Sequence, residues 1–272
     1  MPESGGASVQ TIDRAARVLR VLAGGPAEGM RLIDVTARLD LGKATTRRLL
    51  MALVDVGFVA FDETTKHYSL GYGVFALGLA ARRFHIVELA RPALVRLAAA
   101  TGDTVYLSVR DGDQAICVDR CTGRFPIRTL TLDVGDRRPL GVGAGSLALL
   151  AFQPKADIDR VLRDDHAARA RFAGFDEDSL RRMIDATRDR GHAFNDGRIV
   201  SAMAAVGVPV LDAAGHAVAA LSIAAIRERM DAPRDAELVA LLAREAADLG
   251  RLLVGRDGPA PAIPEISREE QF

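Results

Sequence analysis

The feature that most constrains this chain is a change of hydrophobic period. From Thr11 to Phe61 the apolar residues recur at helical spacing, in blocks cut by turn residues, and two short strand-like runs close the segment. Ile12, Ala15, Ala16 and Leu19, with Leu22 or Ala23, line one face of a first helix, which Gly24-Gly25-Pro26 stops. Leu32, Val35, Thr36 and Leu39 predict a short second helix, and Asp40-Leu41-Gly42 a tight link. A third helix then buries Leu49, Leu50, Leu53 and Val54 and ends at Gly57. Phe58–Phe61 and His67–Leu70 read as strands, joined through Asp62–Lys66 as a hairpin.

Past this unit the pattern turns to mixed helix and strand. Tyr72–Ala93 is helical, with Phe75, Leu77, Leu79, Phe84 and Val87 apolar, and reads as a connector. Strands are expected at Thr104–Val109, Ala115–Val118, Ile127–Leu132, Ala205–Leu211 and Val218–Ile226. Helices are expected at Ser146–Phe152, Ala156–Leu162, Asp176–Arg190 and Asp235–Val254. Short turns at Asp111–Asp113 and Asp212–Gly215 favour an antiparallel sheet with helices on its faces, an α+β fold. A length of 272 residues suits two domains. The boundaries read as a loose start (1–8), a first domain of helices and a hairpin (9–71), a linker helix (72–93), a second domain (94–254) and a loose Pro-rich tail (255–272).

Composition excludes several classes. With 49% hydrophobic and 26% charged residues, wholesale disorder and fibrous repeats are not expected. No stretch reaches the ~20 uncharged apolar residues that span a bilayer. The start has no signal-peptide pattern, and two cysteines, Cys117 and Cys121, make no disulfide scaffold, so a reduced cytoplasm is expected. The 36 basic residues cancel the 36 acidic ones, so any nucleic-acid partner must be argued from local arrangement.

That arrangement exists in the first unit. A short helix, a tight turn, a second helix and a hairpin form the order of a winged helix-turn-helix. Reading base edges needs an outward helix face with small or forked donors. Lys43, Thr45, Thr46, Arg47 and Arg48 supply them, and Lys66 on the hairpin reaches toward an adjacent phosphate. The competing reading is an ordinary solvated face on a helical bundle.

A second motif, Leu140-Gly-Val-Gly-Ala-Gly-Ser-Leu-Ala, places glycines before an apolar helix. The free N–H groups and dipole of such a start attract an anion. Gly143-Ala-Gly-Ser-Leu-Ala also matches a dinucleotide fingerprint, with Asp164 and Asp165 at the distance of the required acid. Ala144-Gly-Ser146-Leu-Ala loosely matches a nucleophile elbow, with alanine at both outer glycine positions. A plain turn needing glycine for its backbone is the fourth reading. The five histidines show no metal-ligand spacing, and Arg128, on an expected strand, is a candidate carboxylate partner, with a surface ion pair as the competing reading.

The run from Leu32 through Lys43-Ala-Thr-Thr-Arg-Arg to Phe58 resembles the winged helix-turn-helix of the IclR-type bacterial transcriptional regulators. The similarity continues through Tyr68-Ser-Leu-Gly, Leu89-Ala-Arg-Pro, Thr101-Gly-Asp-Thr-Val, Val134-Gly-Asp-Arg-Arg-Pro-Leu and Ala220-Leu-Ser-Ile. It implies a GAF-like effector domain and a homodimer, in some cases a dimer of dimers. It also implies binding to double-stranded operator DNA and to a small carboxylic acid, with no cofactor, metal or membrane. By the resemblance, Gly143, Ala144, Gly145 and Ser146 form the anion-binding turn, with Ser222 and Asn195 as side-chain partners. Asn195 stands where relatives carry an aspartate, Ala205 and Ala224 replace polar side chains, and Gly141 and Leu147 replace the usual His and Lys. That drift implies an acid with an apolar body rather than glyoxylate or pyruvate. The expectation is a repressor controlled by such an acid. Its rivals are an enzyme built on the turn 143–146 and a DNA-bound regulator with no effector.

Overall fold

The computed structural model describes residues 6–80 and 85–254. The chain divides into two compact units, Met1–His85 and Ile86–Phe272.

In the first unit, helix α1 (Gly6–Ala23) precedes the two-residue strand β1 (Met30–Arg31), helix α2 (Leu32–Ala37) and helix α3 (Lys43–Asp55). Strands β2 (Val59–Asp62) and β3 (His67–Leu70) follow, and β1 joins them in a sheet of order β1-β3-β2. Val18, Leu22, Val35, Leu39, Leu50, Leu53, Val59 and Tyr68 form its core. These positions recur three or four apart on the helices, so each helix turns one stripe inward. Ile12 departs from the expected stripe: it is 69% exposed, and Val18 takes the inward position on α1. Gly6, Ala7 and Ser8, expected to be loose, lie in the first turn of α1. The remaining residues expected to be loose, 1–5 and 255–272, lie outside the described residues.

The expected connector over 72–93 is not one described helix. Helix α4 spans Tyr72–Ala80 and helix α5 spans His85–Thr101; the expected apolar position Phe84 falls among the residues not described.

The second unit is a six-stranded antiparallel sheet of order β6-β5-β4-β9-β8-β7. Its strands are β4 (Thr104–Asp111), β5 (Gln114–Thr122), β6 (Arg137–Pro139), β7 (Ala193–Asn195), β8 (Met203–Leu211) and β9 (Ala217–Ile226). Successive side chains on a strand point to opposite faces. One face, with Val105, Leu107, Val206, Leu221 and Ile223, packs on α5 and on α10 (Ala232–Val254). The other is covered by α6 (Ala144–Ala151), α7 (Lys155–Asp164) and α9 (Glu177–Arg190), with the short α8 (His166–Arg169) between α7 and α9. The expected strand over Ile127–Leu132 does not form. That segment is a loop held to the sheet by Thr129, whose hydroxyl donates to the Ala224 carbonyl at 2.7 Å and whose carbonyl accepts from the Tyr106 hydroxyl. No described helix is long and apolar enough to cross a membrane.

Candidate functional site

Two surfaces fit the chemistry expected from the sequence, one in each unit. On α3, Thr46, Leu50 and Leu53 face the core at i, i+4 and i+7. Lys43, Ala44, Arg47, Arg48 and Met51 are exposed, and Thr45 is partly so. At about 100° per residue, Arg48 lies nearest the centre of the outer face, with Ala44 and Met51 beside it and Arg47 toward its edge. Thr46 is a correction: it is fully buried, and its hydroxyl donates to the Gly42 carbonyl at 3.3 Å. A β-branched side chain on the inner stripe is held there by packing, whatever its polarity. Ala44 and Met51 share this exposed face but carry no donor, so a search of the sequence for donors does not single them out.

The hairpin behind α3 is tied by Asp62, whose Oδ1 accepts from the backbone N–H of Thr64 at 2.7 Å and of Thr65 at 3.1 Å. These bonds hold its carboxyl below the usual range. Lys66 follows at φ 60°, with its ammonium 5.8 Å from the Phe61 ring centre and its side chain exposed.

In the second unit a cavity of about 60 Å³ lies between the sheet and the start of α6. Gly143, Ala144, Gly145, Ser146, Asn195 and Ser222 all line it. Gly143 has φ +95°, which turns the chain abruptly into α6, and a side chain there would be strained. Gly207 lets β8 meet that turn backbone to backbone: a Cβ on it would lie 2.5 Å from the Ala144 carbonyl oxygen. The sheet register sets the floor. Asn195, Ala205 and Ala224 are cross-strand partners in one row, and Gly207, Ser222 and Tyr106 in the next.

Two expected residues are corrected. Ser146 is buried, and its hydroxyl accepts from the Gly141 N–H at 3.0 Å and donates to the Pro139 carbonyl at 3.1 Å. It therefore stitches the turn rather than facing a ligand. Arg128 is exposed and does not line the cavity. Arg138, ten residues further along the chain, does. It sits on the edge strand β6 opposite Ala115, and its Nη2 donates to the Thr131 carbonyl at 2.7 Å. Burial holds its guanidinium below the usual arginine range. No sequence signal separates Arg138 from its neighbour Arg137, which is exposed and paired with Asp111 at 2.8 Å.

Tyr106, Ser108 and Cys117 also line the cavity. Burial pushes the Cys117 thiol up to about 11 and raises Tyr106, so both are neutral at physiological pH. Apart from Thr131, the remaining wall is apolar, with Ile199 and Val200 from the segment joining β7 to β8 and Met203 at the start of β8. The dinucleotide reading fails on context, since α6 is followed by helix α7, and Asp164 is the last residue of that helix rather than of a strand. The nucleophile reading fails on the Ser146 hydroxyl, which is committed to backbone groups.

Residues 78–251 match the profile described as bacterial transcriptional regulator IclR C-terminal, and residues 11–63 match the IclR helix-turn-helix domain. The transcriptional regulator BhcR of Paracoccus denitrificans is 31% identical over 241 residues, covering 88% of this chain and 84% of that one. The glycerol operon regulatory protein of Streptomyces coelicolor is 31% identical over 253 residues, covering 92% and 96%. An IclR homolog from Microbacterium hydrocarbonoxydans, solved with 4-hydroxybenzoate, superposes with a TM-score of 0.71. It covers 90% of this chain and 99% of its own at 21% identity, a likeness of fold.

Proposed function

Because this chain belongs to the IclR family of bacterial transcriptional regulators, it is a DNA-binding regulator with an effector-binding domain and not an enzyme, and we propose which residues carry each activity. Operator DNA is read by α3, through Lys43, Thr45, Arg47 and Arg48, with Lys66 of the hairpin on a neighbouring phosphate. The effector is a small organic acid held in the cavity at the start of α6, where the N–H groups of Ala144 and Gly145 face its carboxylate and Ser222 and Asn195 its remaining polar atoms. The protein acts in the cytoplasm as a homodimer, or a dimer of dimers, and as a repressor that the acid releases.

The observation that carries this reading is the cavity itself. A helix start and a guanidinium adjoin it, with no described carboxylate in its wall. Such a site favours an anion. The test is operator binding by fluorescence anisotropy across a panel of small acids. One acid is expected to lower operator affinity, and Ser222→Ala to shift its half-effective concentration upward. An operator affinity that no acid alters would mean that the cavity does not regulate DNA binding.

A further inference from the structure

The inference concerns the effector cavity proposed above, rests on that reading, and names the chemistry the cavity selects. Arg138 is the cavity's single ionisable cation, and among the described residues no aspartate, glutamate or histidine lines the wall. Arg138 forms no ion pair with a described residue. Its Nη2 is taken by the Thr131 carbonyl, and Nη1 and Nε have no acceptor among the described residues. Nη1 lies 3.4 Å from the point where a Cβ on Gly143 would stand, beside the first turn of α6. The N–H groups of that turn have no acceptor within the helix. Guanidinium and helix start therefore offer positive charge to the same place. A half-buried cation without a counter-ion is costly, and a bound anion removes that cost.

Two nearly buried side chains in the wall also lack partners. Ser108 is 5% exposed and Ser222 is 7% exposed, and neither hydroxyl has a hydrogen-bond partner among the described residues. Their oxygens lie 3.5 and 3.0 Å from the Cβ position of Gly145, so the two converge on one spot. Asn195, on the opposite edge strand, carries a buried Oδ1 with no donor among the described residues. Strands β6 and β7 are the two edges of the sheet, roughly 24 Å apart if it were flat. The curl of the sheet and the length of the arginine bring both edges to one cavity.

We infer that Arg138 anchors the carboxylate of a small monoanionic hydroxy acid, and that Asn195, Ser108 and Ser222 read its hydroxyl. One cation matches one negative charge, and a dianion would leave charge uncompensated on burial. An acid without a hydroxyl would leave the asparagine and both serines unpaired. The cavity of about 60 Å³ is well under the ~150 Å³ that accepts a benzene ring, so an aromatic body does not fit it. This revises the apolar-bodied acid expected from Ala205 and Ala224: those positions are apolar as read, but Arg138 and Ser108 restore the polar complement.

The test is titration calorimetry on the full chain with five probes. Glycolate and lactate carry the hydroxyl, propionate lacks it, benzoate has the apolar body and malonate is the dianion. Glycolate or lactate is expected to bind at least about tenfold more tightly than the other three. Arg138→Gln lowers that affinity by about tenfold to a hundredfold, and Arg138→Lys keeps part of it. Asn195→Leu erases the preference for lactate over propionate without weakening propionate, a change that a merely structural contribution would not produce. Unchanged hydroxy-acid affinity in folded Arg138→Gln overturns the inference. So does propionate, benzoate or malonate binding as tightly as the better hydroxy acid, or no binding by either hydroxy acid. If a variant fails to melt cooperatively, the wild-type panel alone decides. Operator binding is measured in parallel. An acid that releases operator independently of Arg138 sinks this inference only, whereas an operator affinity insensitive to every acid sinks the effector reading as well.

Discussion

Thr46 and Arg47 are adjacent in the chain, and the ~100° turn between them on α3 separates a buried side chain from an exposed one. The first is sealed in the core of the winged unit and the second is exposed on the outer face of α3. Substitutions should separate them by readout. Arg47→Ala or Arg48→Ala is expected to cost ~1–3 kcal/mol of operator binding if it contacts a base, with the melting temperature unchanged. Thr46→Lys buries an unpaired ammonium and is expected to unfold the unit, so binding and melting fail together. Anisotropy and thermal denaturation on the same samples check this. Wild-type operator affinity in a folded Arg47→Ala, Arg48→Ala double variant would show that α3 does not read DNA through these residues. The same scale explains the exchange of Arg128 for Arg138. Both arginines are evident from composition, but which one is half-buried depends on strand pairing opposite Ala115, which no local pattern encodes.

At the scale of elements, the central sheet serves two purposes through its alternation. On β4, Val105 and Leu107 pack toward α5 and α10, while Tyr106 and Ser108 face the cavity. The helical layer behind the sheet is clamped by Arg96 of α5. Its Nε donates to Glu245 Oε1 of α10 at 2.9 Å, and its Nη2 to Oε2 at 2.7 Å. Glu245 is 3% exposed, and the Arg96 hydrogen bond holds its carboxyl below the usual 4.5. A depressed carboxylate contributes stability above its unfolded value, and that contribution is lost as pH falls through the folded value. Arg96→Met should therefore destabilise the second unit at pH 7, by about 1–2 kcal/mol once the solvent exposure of the arginine is discounted. The gap between wild type and variant should shrink on acidification below pH 4.5. Urea denaturation at pH 7 and at about pH 4 measures it; an equal gap at both would mean that the ion pair contributes no pH-dependent stability.

At the scale of the whole molecule, the first unit leaves large apolar groups uncovered. Ile12 is 69% exposed, Tyr72 90%, Phe75 63% and Leu77 58%. Apolar exposure of this size on a small unit marks a contact surface, and the proposed dimer supplies the partner. Two linked winged units would also raise the effective concentration of the second at the operator and multiply affinity. Sedimentation at micromolar concentration is expected to show a dimer or larger species. Phe75→Glu with Leu77→Glu is expected to shift it toward monomer and weaken operator binding more than either arginine variant. A wild-type protein that sediments as a monomer would leave these side chains without the role assigned to them.

Periodicity by itself determined much of this protein. The three helices and hairpin of the winged unit, the strands near 104, 115, 205 and 218, and helices α6, α7, α9 and α10 follow from spacings of two or of three and four, with glycines as stops. These depend on neighbours within one turn or one hairpin, which a linear pattern records. The Gly-rich turn that starts α6 was legible for the same reason. What only the tertiary structure decided involves groups far apart in the chain. The curl of the sheet brings its two edge strands to one cavity, so Arg138 and Asn195 line it together while Arg128 stays outside. The loop over Ile127–Leu132 has the composition of a strand, yet the fold ties it to the two central strands instead of a sheet edge: Thr129 donates to the Ala224 carbonyl of β9 and accepts from the Tyr106 hydroxyl of β4. Ser146 carries a free-looking hydroxyl in sequence, yet the fold brings the Gly141 N–H and the Pro139 carbonyl within its reach. Side-chain chemistry is local, but whether a polar group is left available depends on what the rest of the chain packs against it.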